Sequence, residues 1–307
     1  MKKLGLFIFL LPILLVGCNS NNEVGANSNS ASREVGVFLT DAPFDQAQNL
    51  FGMNPMLRFS AVNLDIVGVQ YQVLDTTKHQ ENNDYKGIFE NNHWHAFRPE
   101  MNNDTTTWKD MNFTEKIIPV SMLSNGDSTL LASLTIPANT HIAKLKFKLG
   151  KNSTVVLADS AKTVKPLNIS DKSDSTLVIH IFNKPPKGRY NVMVDFDIAR
   201  SIVVDRKGNC YLIPTMRCFI MESTGQVVGS VLPKNVKTKV FVVTNNDTIS
   251  TVSNVKMNNL FKLKGLEAGT YNVQFMPLDT IGKVTVSKSV TIKNHGTVVL
   301  DKVKVIP

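Results

Sequence analysis

Apolar and polar residues alternate over short runs along most of this chain, and no long stretch past the N-terminus holds the 3.6-residue period of an amphipathic helix. Period-two alternation rich in Val, Ile, Thr and Phe, bounded by Asn, Asp, Gly and Pro, reads as strands. It predicts them at residues 35–39, 59–66 with 67–73 as one or two strands, 130–136, 143–149, 154–157, 176–182, 190–198 and 210–213. A second block starts at Val227, with strands at 240–244, 260–263, 271–276, 284–292 and 297–305. The fold class is all-β. The 307 residues suffice for two separate cores, so we expect two β-sandwich domains, 34–223 and 224–307, joined by a short linker around 222–225.

The N-terminus breaks this pattern. Lys2 and Lys3 precede an apolar run at 4–16, which ends in Leu15-Val16-Gly17-Cys18. The run is shorter than the roughly 20 residues that span a bilayer, and its flanks are those of a secretory signal. The segment resembles the bacterial lipoprotein signal. That resemblance implies a signal peptide over 1–17, cleavage before Cys18, acyl chains (palmitate among them) on Cys18, and a lipoprotein anchored in the bacterial outer membrane, with the periplasmic or surface side left open. Residues 18–33 are small and polar with no apolar period, a flexible tether between lipid and fold.

Charge is unevenly spread. Residues 33–223 carry 21 Lys+Arg against 20 Asp+Glu, whereas 226–307 carry 11 Lys, no Arg and 4 acids. Lysines there recur at strand spacing, at Lys237/Lys239, Lys262/Lys264 and Lys302/Lys304, with Val240, Phe261, Leu263, Val303 and Val305 at alternate positions. The reading is a solvated lysine face with lysines guarding strand edges, or contact with an anionic glycan or membrane surface. With no Arg in that block and an exported chain, nucleic acid is excluded as a partner.

Two family resemblances rest on quoted residues. Val37-Phe38-Leu39-Thr40-Asp41-Ala42-Pro43, with its LTDAP motif, and Val194-Asp195-Phe196-Asp197-Ile198-Ala199-Arg200-Ser201-Ile202-Val203, followed by Gly208 and Leu212-Ile213-Pro214, resemble the bacterial DUF4382 domain. Ile118 to Leu123 before Asn125-Gly126 fits its apolar segment, and Ile136-Pro137-Ala138-Asn139-Thr140-His141 stands for its Pro-Ala-Gly-x-Tyr turn, with Asn139 for Gly and His141 for the aromatic. Asn tolerates positive φ, so the turn can survive. The likeness covers roughly 35–219, and the function of that family is undefined. Residues 227–277, with Gly229-Ser230-Val231-Leu232-Pro233, Phe261-Lys262-Leu263-Lys264-Gly265-Leu266 and Ala268-Gly269-Thr270-Tyr271-Asn272-Val273, resemble a carboxypeptidase-regulatory-like, transthyretin-like β-sandwich. That likeness implies a spacer or recognition module without catalytic residues.

Several residue groups could carry chemistry. Asp195 and Asp197 lie two apart on one strand face, roughly 7 Å along the strand; with Asp41 nearby they could take Ca²⁺, or pair with Arg200, Arg217 or lysines, or act as acid and base if they lined a cleft. No other cofactor is expected. His93-Trp94-His95, with His79 or Asp84, has the spacing of a transition-metal pair or of incidental surface histidines. No GxSxG, HExxH or Gly-rich phosphate loop occurs. Cys210 and Cys218 are the thiols left after Cys18; along one strand they lie roughly 26 Å apart, too far for a disulfide, unless a hairpin at Pro214-Thr215 folds them together.

Asp followed by Ser or Thr and then a small or apolar residue or Thr occurs seven times, against about one expected from composition, and sugars attach to such surface groups. The acceptor hydroxyls are Thr76, Thr105, Ser128, Ser160, Ser175, Thr248 and Thr280. The pattern resembles the acceptor motif of a periplasmic O-glycosylation system, and equally fits β-turns. The Asn-rich stretch 76–114 holds both tryptophans. It offers Trp94 and Tyr85 as aromatic platforms, and Asn91, Asn92, His93 and His95 as polar contacts for a glycan, or else an insertion packed on itself. Trp108 is expected in the core. Taken together, the expectation is a lipid-anchored envelope binding or adhesion protein without catalysis, its ligand a glycan or envelope protein; the alternatives are a hydrolase using Asp41, Asp195 and Asp197, or a structural envelope subunit.

Overall fold

The computed structural model describes residues 32–42, 59–75, 95–96, 107–169, 176–181, 185–244, 248–278, 286–293 and 295–305. Most of them are in strands. Fourteen strands precede the linker: β1 (Ser32–Ala42), β2 (Phe59–Asp75), β3 (His95–Ala96), β4 (Lys109–Asp110), β5 (Lys116–Ile118), β6 (Thr129–Pro137), β7 (Thr140–Leu149), β8 (Thr154–Leu157), β9 (Val164–Ile169), β10 (Thr176–His180), β11 (Tyr190–Asp197), β12 (Ile202–Val204), β13 (Cys210–Leu212) and β14 (Thr215–Ile220). Seven follow: β15 (Gly225–Leu232), β16 (Thr238–Val243), β17 (Thr248–Val252), β18 (Leu260–Leu266), β19 (Gly269–Pro277), β20 (Val286–Ile292) and β21 (Thr297–Lys304).

The first fourteen form a five-stranded sheet, β3-β14-β11-β1-β6, and a nine-stranded one running β10-β7-β2-β8-β9-β13-β12 with β4 and β5 paired to β2. Between them lies one apolar cluster from Val35 to Ile220. Tyr190 is fully buried and ties the two sheets, because its hydroxyl on β11 accepts the N–H of Ile142 on β7 at 3.0 Å. β1 pairs in parallel with β11, about 150 residues away, setting Val37 beside Val192 and Leu39 beside Val194. A second cluster, Val227 to Val305, lies between the sheets β18-β15-β21 and β17-β16-β19-β20.

Each strand expected from alternation is present, with differences at the ends. Residues 59–75 make one 17-residue strand rather than two, pairing with β8 by its first third and with β7 by the rest, with irregular register at Ile66/Gly68 and Gln72/Val73. Strands β9, β14 and β17 carry polar or charged residues inside short runs and escape the alternation rule. The stretch expected to link the two blocks includes a 3-10 turn, Met221–Ser223. Asn139 does not take positive φ; the β6–β7 turn closes without it. Trp108 is half-buried outside the core, with the Lys146 ammonium 4.0 Å from its ring centroid.

The solvated lysine face holds only in part. Lys237, Lys262, Lys302 and Lys304 are exposed, but Lys239 is buried and Lys264 half-buried. Cys210 sits on β13 and Cys218 on β14, in different sheets, because the chain crosses between sheets at 213–214; both thiols are free. Burial raises the pKa of each, that of Cys218 to about 12, and its thiol donates to the carbonyl of His180 at 2.9 Å. Among the described residues no helix is long and apolar enough to cross a membrane.

Gly229 in β15 admits β21 at close range: a Cβ there would stand 2.0 Å from the carbonyl oxygen of Leu300, a backbone atom that cannot swing away. Gly229→Ala should therefore cost about 1–3 kcal/mol by forcing the parallel β15–β21 pair apart. Urea unfolding of the variant checks it, and an unchanged midpoint would contradict the close approach.

Candidate functional site

Strand β14 alternates so that Met216 and Ile220 enter the first core, which leaves Arg217 and Phe219 on the outer face of the five-stranded sheet. Met193 and Asp195 share that face from the neighbouring strand, since Asp195 is in register with Arg217 and Met193 with Phe219. An outer face should be wet. Instead Met193, Asp195, Arg217 and Phe219 are 1–6% exposed while belonging to neither apolar cluster, because the strands after the linker cover them.

Arg217 holds the seam. Its Nε donates to Asp195 Oδ2 at 2.8 Å, while Nη1 and Nη2 reach the carbonyls of Gly265 and Lys264 at 3.4 and 3.3 Å, and the guanidinium lies 5.0 Å from the centroid of Phe219. The planar five-donor fork of Arg can serve acceptors on two sides at once, which Lys cannot. Those carbonyls point outward because β18 bulges at Gly265: Leu266 pairs with Gly225 but Lys264 with Gln226, and Gly265 takes φ +75. A Cβ on Gly265 would meet the Phe219 ring at 2.8 Å. Burial pushes the Asp195 carboxyl above its ordinary value, against the pull of Arg217. Asp195 Oδ1 and Thr251 Oγ1, without hydrogen-bond partners among the described residues, line a cavity of about 20 Å³ with Thr40, Arg217 and Lys264.

A second contact flanks the first. The Asn125-Gly126 turn, both residues at positive φ, presses on β18: Asn125 Nδ2 donates to the Leu260 carbonyl at 3.2 Å, Asn125 Oδ1 accepts the Lys262 N–H at 3.0 Å, and the Lys264 ammonium donates to the Gly126 carbonyl at 2.7 Å. Partial burial lowers the pKa of Lys264.

The aspartates expected to act together have separate partners. Asp195 pairs with Arg217, whereas Asp197 caps the short helix Ile198–Ser201, its Oδ1 accepting the Arg200 N–H at 2.9 Å and its Oδ2 the Arg200 Nε at 2.7 Å. The β1–β11 register sets Thr40, not Asp41, beside Asp195; the side chain of Asp41 lies outside the described residues, as does that of His95. Tyr85, Asn91, Asn92, His93 and Trp94 also lie outside them, as do Cys18, Thr76, Thr105, Ser175 and Thr280. Among the described residues no group of three or more His, Cys, Asp or Glu could hold a metal ion. Ser128 and Ser160 are exposed and Thr248 half-buried. Asp159 spends its carboxylate on a turn, accepting the N–H and hydroxyl of Thr163 at 2.9 and 2.6 Å, and these bonds lower its pKa.

Arg217→Met leaves the Asp195 carboxylate buried without its cation, and should destabilise the protein by about 3–5 kcal/mol. Adding Asp195→Leu should recover much of that loss, because the pair is then replaced by apolar groups. A double-mutant cycle in urea measures the coupling, and additive effects would show that the two side chains do not act as a unit.

No curated protein matches the chain. Among solved structures, it is similar to the shaft pilin SpaA from Lactobacillus rhamnosus GG (10% identity over 90% of this chain and 97% of that one, TM-score 0.24). It is also similar to the fimbrial anchor protein Mfa2 from Porphyromonas gingivalis (12% identity, 88% and 90% covered, TM-score 0.20), and to BcpA, the major pilin subunit of Bacillus cereus (10% identity, 89% and 70% covered, TM-score 0.20). Likenesses of this strength carry no argument about what the chain does. A family model matches residues 33–214, more than half of the chain, and by that match the chain belongs to the family described as "Domain of unknown function (DUF4382)".

Proposed function

We propose that this chain is a structural subunit of the bacterial cell envelope: two β modules, 34–223 and 224–307, held as one stiff body and tied to the outer membrane by lipid on Cys18. The observation that carries the reading is the Arg217 fork, which bonds a carboxylate of the first module and two backbone carbonyls of the second in one buried group. Modules joined by a short linker move freely unless their interface is extensive and well matched. Here a swing of the second module would strand a buried cation and a buried carboxylate, which fixes the angle between modules. The separate apolar clusters support the boundary near 223, and the carboxypeptidase-regulatory-like resemblance supports the second module as a spacer. A stiff body on a flexible tether suits a part that presents or spaces other components at a surface.

Cys18→Ala should move the protein from the membrane to the soluble fraction. Small-angle scattering of that released form should then fit a single arrangement of the modules. Unchanged membrane retention would remove the anchor from the proposal, and a profile that demands many module orientations would remove the stiff body.

Glycosylation of several Asp-Ser/Thr triplets belongs to the same proposal, supported by the exposure of Ser128 and Ser160. Intact-mass measurement of protein from its native host should exceed polypeptide plus lipid by whole glycan units. A mass equal to polypeptide plus lipid would assign the triplets to turn chemistry alone.

A further inference from the structure

Beside the buried seam the two modules part to form a cleft of about 440 Å³, within the roughly 300–1,000 Å³ of small-ligand sites. One wall is the first module, with Phe59, Ser60, Ser121 and Ser124; the other is the second, with Lys237 and the run from Val252 to Lys256. Among the described residues the lining contains no acid. Lys237 and Lys256 are both exposed, and neither ammonium has a partner among the described residues. Two exposed cations with no counter-charge among the described lining residues favour an anion.

The neutral groups point the same way. Ser121 Oγ accepts the N–H of Val62 at 3.1 Å. Its oxygen is thereby held in place while its proton can be donated into the cleft. Ser253, which also lines the cleft, is buried and spends its hydroxyl oxygen on the N–H of Thr238 at 2.9 Å. Asn254 Oδ1 accepts the N–H of Lys256 at 3.1 Å, which leaves its amide hydrogens as donors. A hydroxyl, an amide and two ammoniums thus offer donors from both walls. Phosphate alone would leave most of the cleft unfilled, whereas a polyhydroxylated ring bearing a carboxylate uses the lysines, the Ser121 hydroxyl and the apolar edges of Phe59 and Val255 together.

We propose that this inter-module cleft binds an acidic saccharide, a uronic-acid oligosaccharide, with Lys237 and Lys256 on its carboxylates and Ser121 and Asn254 on its hydroxyls. This goes beyond the structural reading and stands apart from it, since a stiff body can carry an empty or a filled cleft.

The test is calorimetric titration of the lipidated full-length protein in detergent with digalacturonate, with its neutral counterpart galactobiose, and with inorganic phosphate. Digalacturonate should bind, more weakly as salt rises, and galactobiose and phosphate at least tenfold more weakly. Lys237→Gln and Lys256→Gln should each cost about tenfold in affinity, equivalent to 1.4 kcal/mol, with unchanged melting temperature, as both side chains are exposed. Ser121→Ala, which keeps both charges, should weaken digalacturonate but not phosphate. No heat with digalacturonate, equal affinity for galactobiose, or lysine variants that bind as tightly as the parent would each overturn the proposal. Phosphate binding as tightly as digalacturonate would overturn its saccharide part.

Discussion

The guanidinium of Arg217 is removed from water, and a buried cation is tolerable only where acceptors surround it. One acceptor comes from its own sheet, Asp195 on β11; two come from the bulge on β18 beyond the linker. Each partner constrains a different level of structure. The bond to Asp195 needs β11 and β14 in their observed register, while the bonds to Lys264 and Gly265 need the bulge and the docking of the second module. A one-residue slip in β14 would turn Arg217 into the apolar core and break all three at once. Register within the first module and its orientation against the second are therefore coupled through one side chain.

Much of the fold is legible because a half-buried strand must alternate, and alternation survives in the sequence. Residues 143–149 and 271–276 show it cleanly and became β7 and β19. It fails where both faces of a strand are covered. In β14, Thr215-Met216-Arg217-Cys218-Phe219-Ile220 has apolar residues on both sides and a charge among them, which reads as no period at all, yet five of these six residues pack against a core or the seam. The same holds for Lys239, placed on a solvated face by spacing and found buried: period two tells which residues share a face, not which neighbour later covers it.

The seam was visible only in outline. Asp195 was a candidate because its spacing from Asp197 puts both carboxylates on one face, and pairing with Arg217 was among its readings. That Arg217 also reaches two backbone carbonyls could not be read, since carbonyls carry no sequence signature and the bulge that aims them depends on a glycine among 17 in the chain. The signal that could have pointed there is Met193 and Phe219, large apolar residues on the face that Asp195 and Arg217 occupy. Such residues on an otherwise polar face call for a cover.

The basicity of the second module acquires a different meaning once it is placed. Eleven lysines against four acids suggest a uniformly solvated surface, but the lysines divide by environment. Lys264 is half-buried and spends its ammonium on the Gly126 carbonyl, and Lys239 is withdrawn from water. Lys237 and Lys256 stay exposed beside the open cleft. Charge on the first module is nearly balanced, so long-range attraction between modules cannot align them; the alignment comes from short hydrogen bonds to fixed carbonyls. Those bonds engage Lys264 and Arg217, whereas Lys237 and Lys256 have no counter-charge among the described residues. The buried part of the seam therefore holds the modules together through its hydrogen bonds, and the open part keeps two ammoniums available to an anion.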